Sequence, residues 1–271
     1  MTRDEAERVL ITAGETADAD FPLLEAAIAC AAHDLPFRDV APVRAMADSA
    51  AKRLSERLET ESPDEALAET LSGDLRLSGD LLSYEDPANT DVIDLAERRR
   101  GLSITLGILY LHAARKSGLK ADGVDFPNHF LLRVDTEEGP VALDPFSHGR
   151  LVLPSELTRR ALRAGLTPDV ADRLEVLMAP VSDRQVLLRL QNMIFARSVA
   201  TGDFESAERS ALRRALLDPN DHRPWLDVAS AREKQGALTG ALEALGRAKS
   251  IDGHTSVMAR AAHDRVRLRL N

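Results

Sequence analysis

The stretch DFPNHFLLRVDTEEGPVALDPF, residues 125–146, holds two apolar runs joined by an acidic turn, with a histidine opening the first run and an aspartate closing the second. "HFLLRV" and "VALDPF" have the length and aliphatic content of strands, and the polar loop Asp135–Glu138 between them completes a hairpin. With a four-residue loop, paired positions sum to 273. His129 then stands directly opposite Asp144 on one face, with Cβ atoms about 5 Å apart. A carboxylate so placed orients an imidazole and sets which ring nitrogen carries the proton. The pair has two readings: two members of a catalytic triad, or a buried polar pair kept for structure.

A third member has to come from elsewhere. "SITLGILYLHAARKSG" reads as one helix that begins at Ser103, just after "RRGL", and stops at Gly118 behind the basic Arg115 and Lys116. A helix start carries partial positive charge and unpaired N–H groups, a setting that activates a nucleophile and holds an oxyanion. Ser103 is therefore the candidate nucleophile, with His129 as its general base. The plainer alternative makes Ser103 the N-cap of its helix. The only cysteine, Cys30, lies in the Ala-rich run "EAAIACAAHDL" and reads as a small buried thiol. His112 falls on the long helix as a packed or rim residue, and His148 in "DPFSHGR" is near enough to line the site without a stated role. No His or Cys pair has metal-ligand spacing and no glycine-rich phosphate loop is present, so neither metal nor cofactor is expected.

Around this centre the 271 residues fall into three zones. Residues 1–70 are rich in Ala, Leu, Glu and Arg, with helical spacing and prolines near the helix boundaries. Residues 71–180 contain the only β-rich part of the chain. Residues 181–271 are helical and repeat every 34 residues: Gly202 with Gly236, Ala207 with Ala241, Asp218 with Asp252. That period marks a tetratricopeptide-type array of two units, with "TSVMARAAHDRVRLRLN" as a capping helix. The fold class is α+β.

A net charge of −9 argues against a general nucleic-acid binder, and the basic "ERRRG" at 97–101 reads as a solvated helix end. No run approaches the roughly 18 apolar residues of a membrane helix. The N-terminal "MTRDEAERVL" lacks the apolar core of a signal peptide, so a cytoplasmic location without membrane contact is expected.

The order helix start, His, Asp resembles the transglutaminase-like superfamily, whose papain-like core sets a cysteine at a helix start against a His–Asp pair on neighbouring strands. In that family the cysteine stands about 15 residues before the glycine ending the helix, and counting back from Gly118 reaches Ser103. The set "ERRRG", "FPNHFLLR" and "LDPF" is similar to the SirB-type branch, in which a transglutaminase-like domain precedes tetratricopeptide repeats. The resemblance implies a papain/transglutaminase-like core with a small antiparallel sheet. It also implies a pseudoenzyme, because the nucleophile position holds no cysteine. The expected function is a non-catalytic scaffold that takes a protein or peptide partner in the repeat groove. The alternative is a serine-type hydrolase or acyltransferase using Ser103, His129 and Asp144.

Overall fold

The computed structural model describes residues 1–252 and 264–268. Its helices are α1 (Arg3–Glu15), α2 (Leu23–Asp34), α3 (Ala41–Arg57), α4 (Pro63–Ala68), α5 (Leu95–Arg98), α6 (Ser103–Lys116), α7 (Pro154–Arg163), α8 (Pro168–Ala171), α9 (Leu174–Leu177), α10 (Asp183–Thr201), α11 (Phe204–Leu217), α12 (Arg223–Lys234) and α13 (Leu238–Ile251). Its strands are β1 (Ser78–Gly79), β2 (Arg100–Gly101), β3 (Ala121–Phe126), β4 (His129–Thr136), β5 (Gly139–Asp144), β6 (Arg150–Val152) and β7 (Pro180–Val181). The chain divides into two compact units. One gathers residues 22–28 and 39–186, the other residues 1–21, 29–38 and 187–271, so the segment 1–70 contributes to both.

The first unit is α+β. Its sheet has the order β6-β5-β4-β3-β7 with antiparallel neighbours, and a separate parallel pair joins β1 to β2. Strands β6 and β7 are too short for any periodic signal in the sequence. The hairpin forms, but in a register different from the one expected. Leu132 pairs with Leu143 and Thr136 with Gly139, so partners sum to 275 and only Glu137 and Glu138 form the loop. Gly139, at φ +118°, takes a conformation that L side chains rarely adopt, and Thr136 Oγ1 donates to its carbonyl at 2.7 Å; together they close the shorter turn. A slip of two residues keeps every side chain on its own face. His129 and Asp144 therefore remain on one side of the sheet as diagonal rather than opposite neighbours.

The two faces of this sheet are covered differently. Helix α6 runs so close to one face that a Cβ at Gly107 would overlap the Phe130 ring, and a Cβ at Gly123 would press on the same ring from β3. The other face carries Val124, Phe126, Leu131 and Ala142, which pack with Leu157 and Ala161 of α7 and with Ala171. Helix α6 ends as expected, with Gly118 left-handed at φ +75° just past its last turn.

The second unit contains the helix pairs α10–α11 and α12–α13. Gly202 and Gly236, 34 residues apart, both take left-handed φ, +74° and +79°, at the turns inside each pair. A Cβ at either meets nothing within 4 Å. Small residues repeated at this spacing would be expected where the paired helices cross; the helices do not cross at these glycines, and the backbone turn is what requires them. Ala207 and Ala241 are fully buried, and Asp218 and Asp252 follow the last residues of α11 and α13. At Gly14 of α1, a Cβ would overlap the Leu216 carbonyl, so α1 lies directly on the end of α11. Arg213, 1% exposed, bonds Gln191 and Asp34, which also receives Arg209. The expected capping stretch 255–271 falls largely outside the described residues; within it, residues 264–268 are helical.

Gly107 offers a test of the first unit. In an open helix Gly→Ala stabilises by up to about 1 kcal/mol. At Gly107 the new methyl must displace an aromatic ring held between α6 and β3, and overpacking of this kind costs roughly 1–3 kcal/mol. Urea denaturation of Gly107→Ala should show a net loss of stability, whereas a gain would show that the Phe130 ring is loosely held.

Candidate functional site

The start of α6 is placed by a buried asparagine. Asn89 accepts from the Leu102 amide at 3.0 Å and the Thr105 hydroxyl at 2.8 Å through its carbonyl, and its side-chain amide donates to the Ser83 and Tyr84 carbonyls. Arg98 ties the same loop down by pairing with Asp80 at 3.3 Å and Asp86 at 2.8 Å. The "ERRRG" run thus contributes a staple at Arg98 and a left-handed residue at Arg99, φ +57°. Leu102, not Ser103, occupies the N-cap position, and no side chain caps the helix. The Ser103 hydroxyl instead accepts the Phe130 N–H at 3.3 Å, joining the first turn of α6 to β4 beside His129.

His129 and Asp144 meet at the end of the hairpin. His129 Nε2 lies 2.8 Å from Asp144 Oδ1. Asp144 is 1% exposed and carries three further bonds: its own turn's Phe146 amide on Oδ1, and the Ser147 hydroxyl and Arg160 guanidinium on Oδ2. Burial pushes the carboxyl upward, but the bonds and charges of His129 and Arg160 more than offset it, and its pKa is lowered to about 2. The ionised carboxylate only accepts, so the His129 Nε2 that faces it carries a proton. Phe146 stands edge-on to the His129 ring at 6.2 Å and to Tyr84 at 5.9 Å. A Cβ at Gly79 would overlap Phe146, which fixes that aromatic row from below.

The structure therefore brings Ser103, His129 and Asp144 to one end of β4 and β5. It also supplies a residue that sequence reasoning missed. Arg160, on α7, bonds Asp144 and is itself held by Glu156, whose pKa is lowered to about 2 chiefly by its bond from Arg150. The only local signal was the i, i+4 spacing of Glu156 and Arg160, which points along the helix and not at Asp144. Three other residues that the sequence singled out have settings of their own. Cys30 is buried in the second unit; its thiol is pushed up to about 12 by burial, although the nearby Arg213, which the sequence did not announce, pulls the other way. His148 is exposed in a left-handed turn at φ +59°, and His112 is half-buried on α6. Among the described residues no three His, Cys, Asp or Glu side chains gather as a metal site, and no helix is long and apolar enough to cross a membrane.

An α+β core with a His–Asp pair beside a helix start defines the class. Residues 41–192, more than half of the chain, match the family described as the transglutaminase-like superfamily, and the chain belongs to it. Among its relatives, the UPF0162 protein of Xylella fastidiosa strain Temecula1 is 35% identical over 64% of this chain and 62% of its own length. The UPF0162 protein of Vibrio cholerae is 37% identical over 26% of each chain. Mouse F-box only protein 21 is 32% identical over 31% of this chain and 13% of its own length. The chain thus spans under two thirds of the curated relatives it matches. No solved structure matches it.

The depressed Asp144 pKa has a consequence for acid stability. A folded-state value below the ordinary 3.8 stabilises the fold fully above that pH, and the contribution is lost as pH falls through about 2. Its size is on the order of 2 kcal/mol. Glu156 acts in the same window, so the native protein should be compared with Asp144→Asn. The variant should be less stable at pH 6 and should lose less stability between pH 4 and 2; parallel curves would mean that Asp144 is not held as described.

Proposed function

We propose that this chain is a non-catalytic, transglutaminase-like scaffold, of the SirB type, which binds a protein or peptide partner through its helix pairs. The observation that carries the reading is the hydroxyl at position 103. A thiolate–imidazolium pair needs a thiol whose pKa falls well below its ordinary value. Serine cannot ionise in that way, and this serine accepts a backbone N–H from β4. The only thiol, Cys30, is buried and poorly acidic. The 34-residue spacing of the α10–α11 and α12–α13 turns supports reading those helices as tetratricopeptide-type repeats, whose concave side receives a peptide or helix. A cytoplasmic location belongs to the same reading.

A second reading is favoured by one specific observation. Asp144 orients the His129 ring through Nε2, and Ser103 accepts the amide of the next residue on β4, so a hydroxyl, an imidazole and a carboxylate are gathered as a serine-type hydrolase or acyltransferase would need. The two readings separate on Ser103→Cys. Under the scaffold reading the new thiol titrates near the ordinary cysteine value and is alkylated at neutral pH no faster than a free thiol. A depressed pKa and rapid alkylation would overturn that reading and restore a catalytic arrangement. In the native protein Cys30 should resist thiol reagents until denaturant is added, which provides the internal control.

A further inference from the structure

A cavity of about 430 Å³ lies within the first unit, between the β4–β5–β6 part of the sheet and helices α7 and α9. Ala142, Val152, Leu157, Leu174 and Met178 form much of its wall, and Arg133 supplies its cation. Leu151 and Leu153, 39% and 56% exposed, stand at its mouth. Arg133 lies four residues along β4 from His129, roughly 13 Å away at strand spacing, so this is a separate site.

Two features make the cavity more than a packing defect. It is a half-open pocket, and pockets of roughly 300–1,000 Å³ with an apolar wall and few polar groups are typical ligand sites. The second feature is charge. Arg133 is half-buried, and among the described residues its side chain has neither a hydrogen bond nor an ion pair. Its cross-strand neighbour Asp122 is drawn to Arg115 at 4.0 Å, while Arg150 and Arg160 are engaged by Glu156. A half-buried guanidinium on an apolar wall with no protein counter-ion is open to an incoming anion, and a carboxylate matches its paired donors. The cavity's other charged residue, Glu175, is exposed and unpaired. It disfavours a second anionic group at the mouth.

We propose that this cavity binds an apolar monocarboxylate, a medium-length acyl chain whose carboxylate pairs with Arg133 and whose tail lies against Ala142, Val152 and Leu157. This site does not depend on the functional reading of Ser103, His129 and Asp144. Isothermal titration of the full chain with octanoate, octan-1-ol and octanedioate tests it. Octanoate should bind one to one, roughly tenfold more tightly than octanol, as expected for one charge-assisted pair. Octanedioate should bind more weakly than octanoate. Arg133→Gln should reduce octanoate to the level of octanol while leaving octanol unchanged. Ala142→Phe, if its circular dichroism shows it folded, should abolish binding of all three; Arg133→Gln alone decides the question if it is not. Absence of octanoate binding, equal affinity for octanoate and octanol, or octanoate binding unaffected by Arg133→Gln would each overturn the proposal.

Discussion

The architecture of the site rests on one buried carboxylate. Asp144 has bonds on both of its oxygens, from β4 through His129, from α7 through Arg160, and from its own turn through Phe146 and Ser147. A charge taken out of water is tolerable only when its partners are complete, because an incomplete set leaves an unpaid desolvation cost. The ring orientation of His129, the position of α7 and the turn after β5 are consequently linked through a single residue. The same carboxylate is shared between an imidazole on Oδ1 and a guanidinium on Oδ2, which fixes the orientation of both.

On the opposite face of the sheet the constraint is steric. Gly107 and Gly123 admit the Phe130 ring between α6 and β3. That close approach brings the first turn of α6 to the backbone of β4, where Ser103 accepts the Phe130 amide. The proximity of position 103 to His129 is thus a product of aromatic packing several residues away. The loop before α6 is secured independently by Asn89 and Arg98. The Ser103 hydroxyl ties the helix layer to the sheet through that one bond.

Much of this arrangement was legible because β structure has a period of two. The hairpin was read with a loop two residues too long, and the error did no harm to the His129–Asp144 pairing, since an even slip preserves the face of every residue. An odd slip would have separated the pair. The same tolerance did not extend to Ser103, where the boundary of a helix is decided by one residue and by which hydrogen-bond partner is nearer. Leu102 became the cap position because the Ser103 oxygen had a strand amide to accept. In the second unit the 34-residue spacing related Gly202 to Gly236, but their small size pointed to a helix crossing, whereas both sit at turns with positive φ and open space around them.

The sequence by itself determined the mixed α+β class, the hairpin with His and Asp on one face, the helix from Ser103 to the glycine at 118, and the spacing of the C-terminal helix pairs. These are consequences of local periodicity and backbone preference, which a few neighbouring residues express. Only the tertiary structure decided that Arg160 completes the Asp144 shell, that Arg213 stands near Cys30, that 1–70 divides between two units, and that Arg133 faces an apolar cavity without a counter-ion. Each of these joins residues far apart in the chain or on different elements. Such pairings depend on which faces meet after the helices and sheet have packed, and no local pattern encodes that choice.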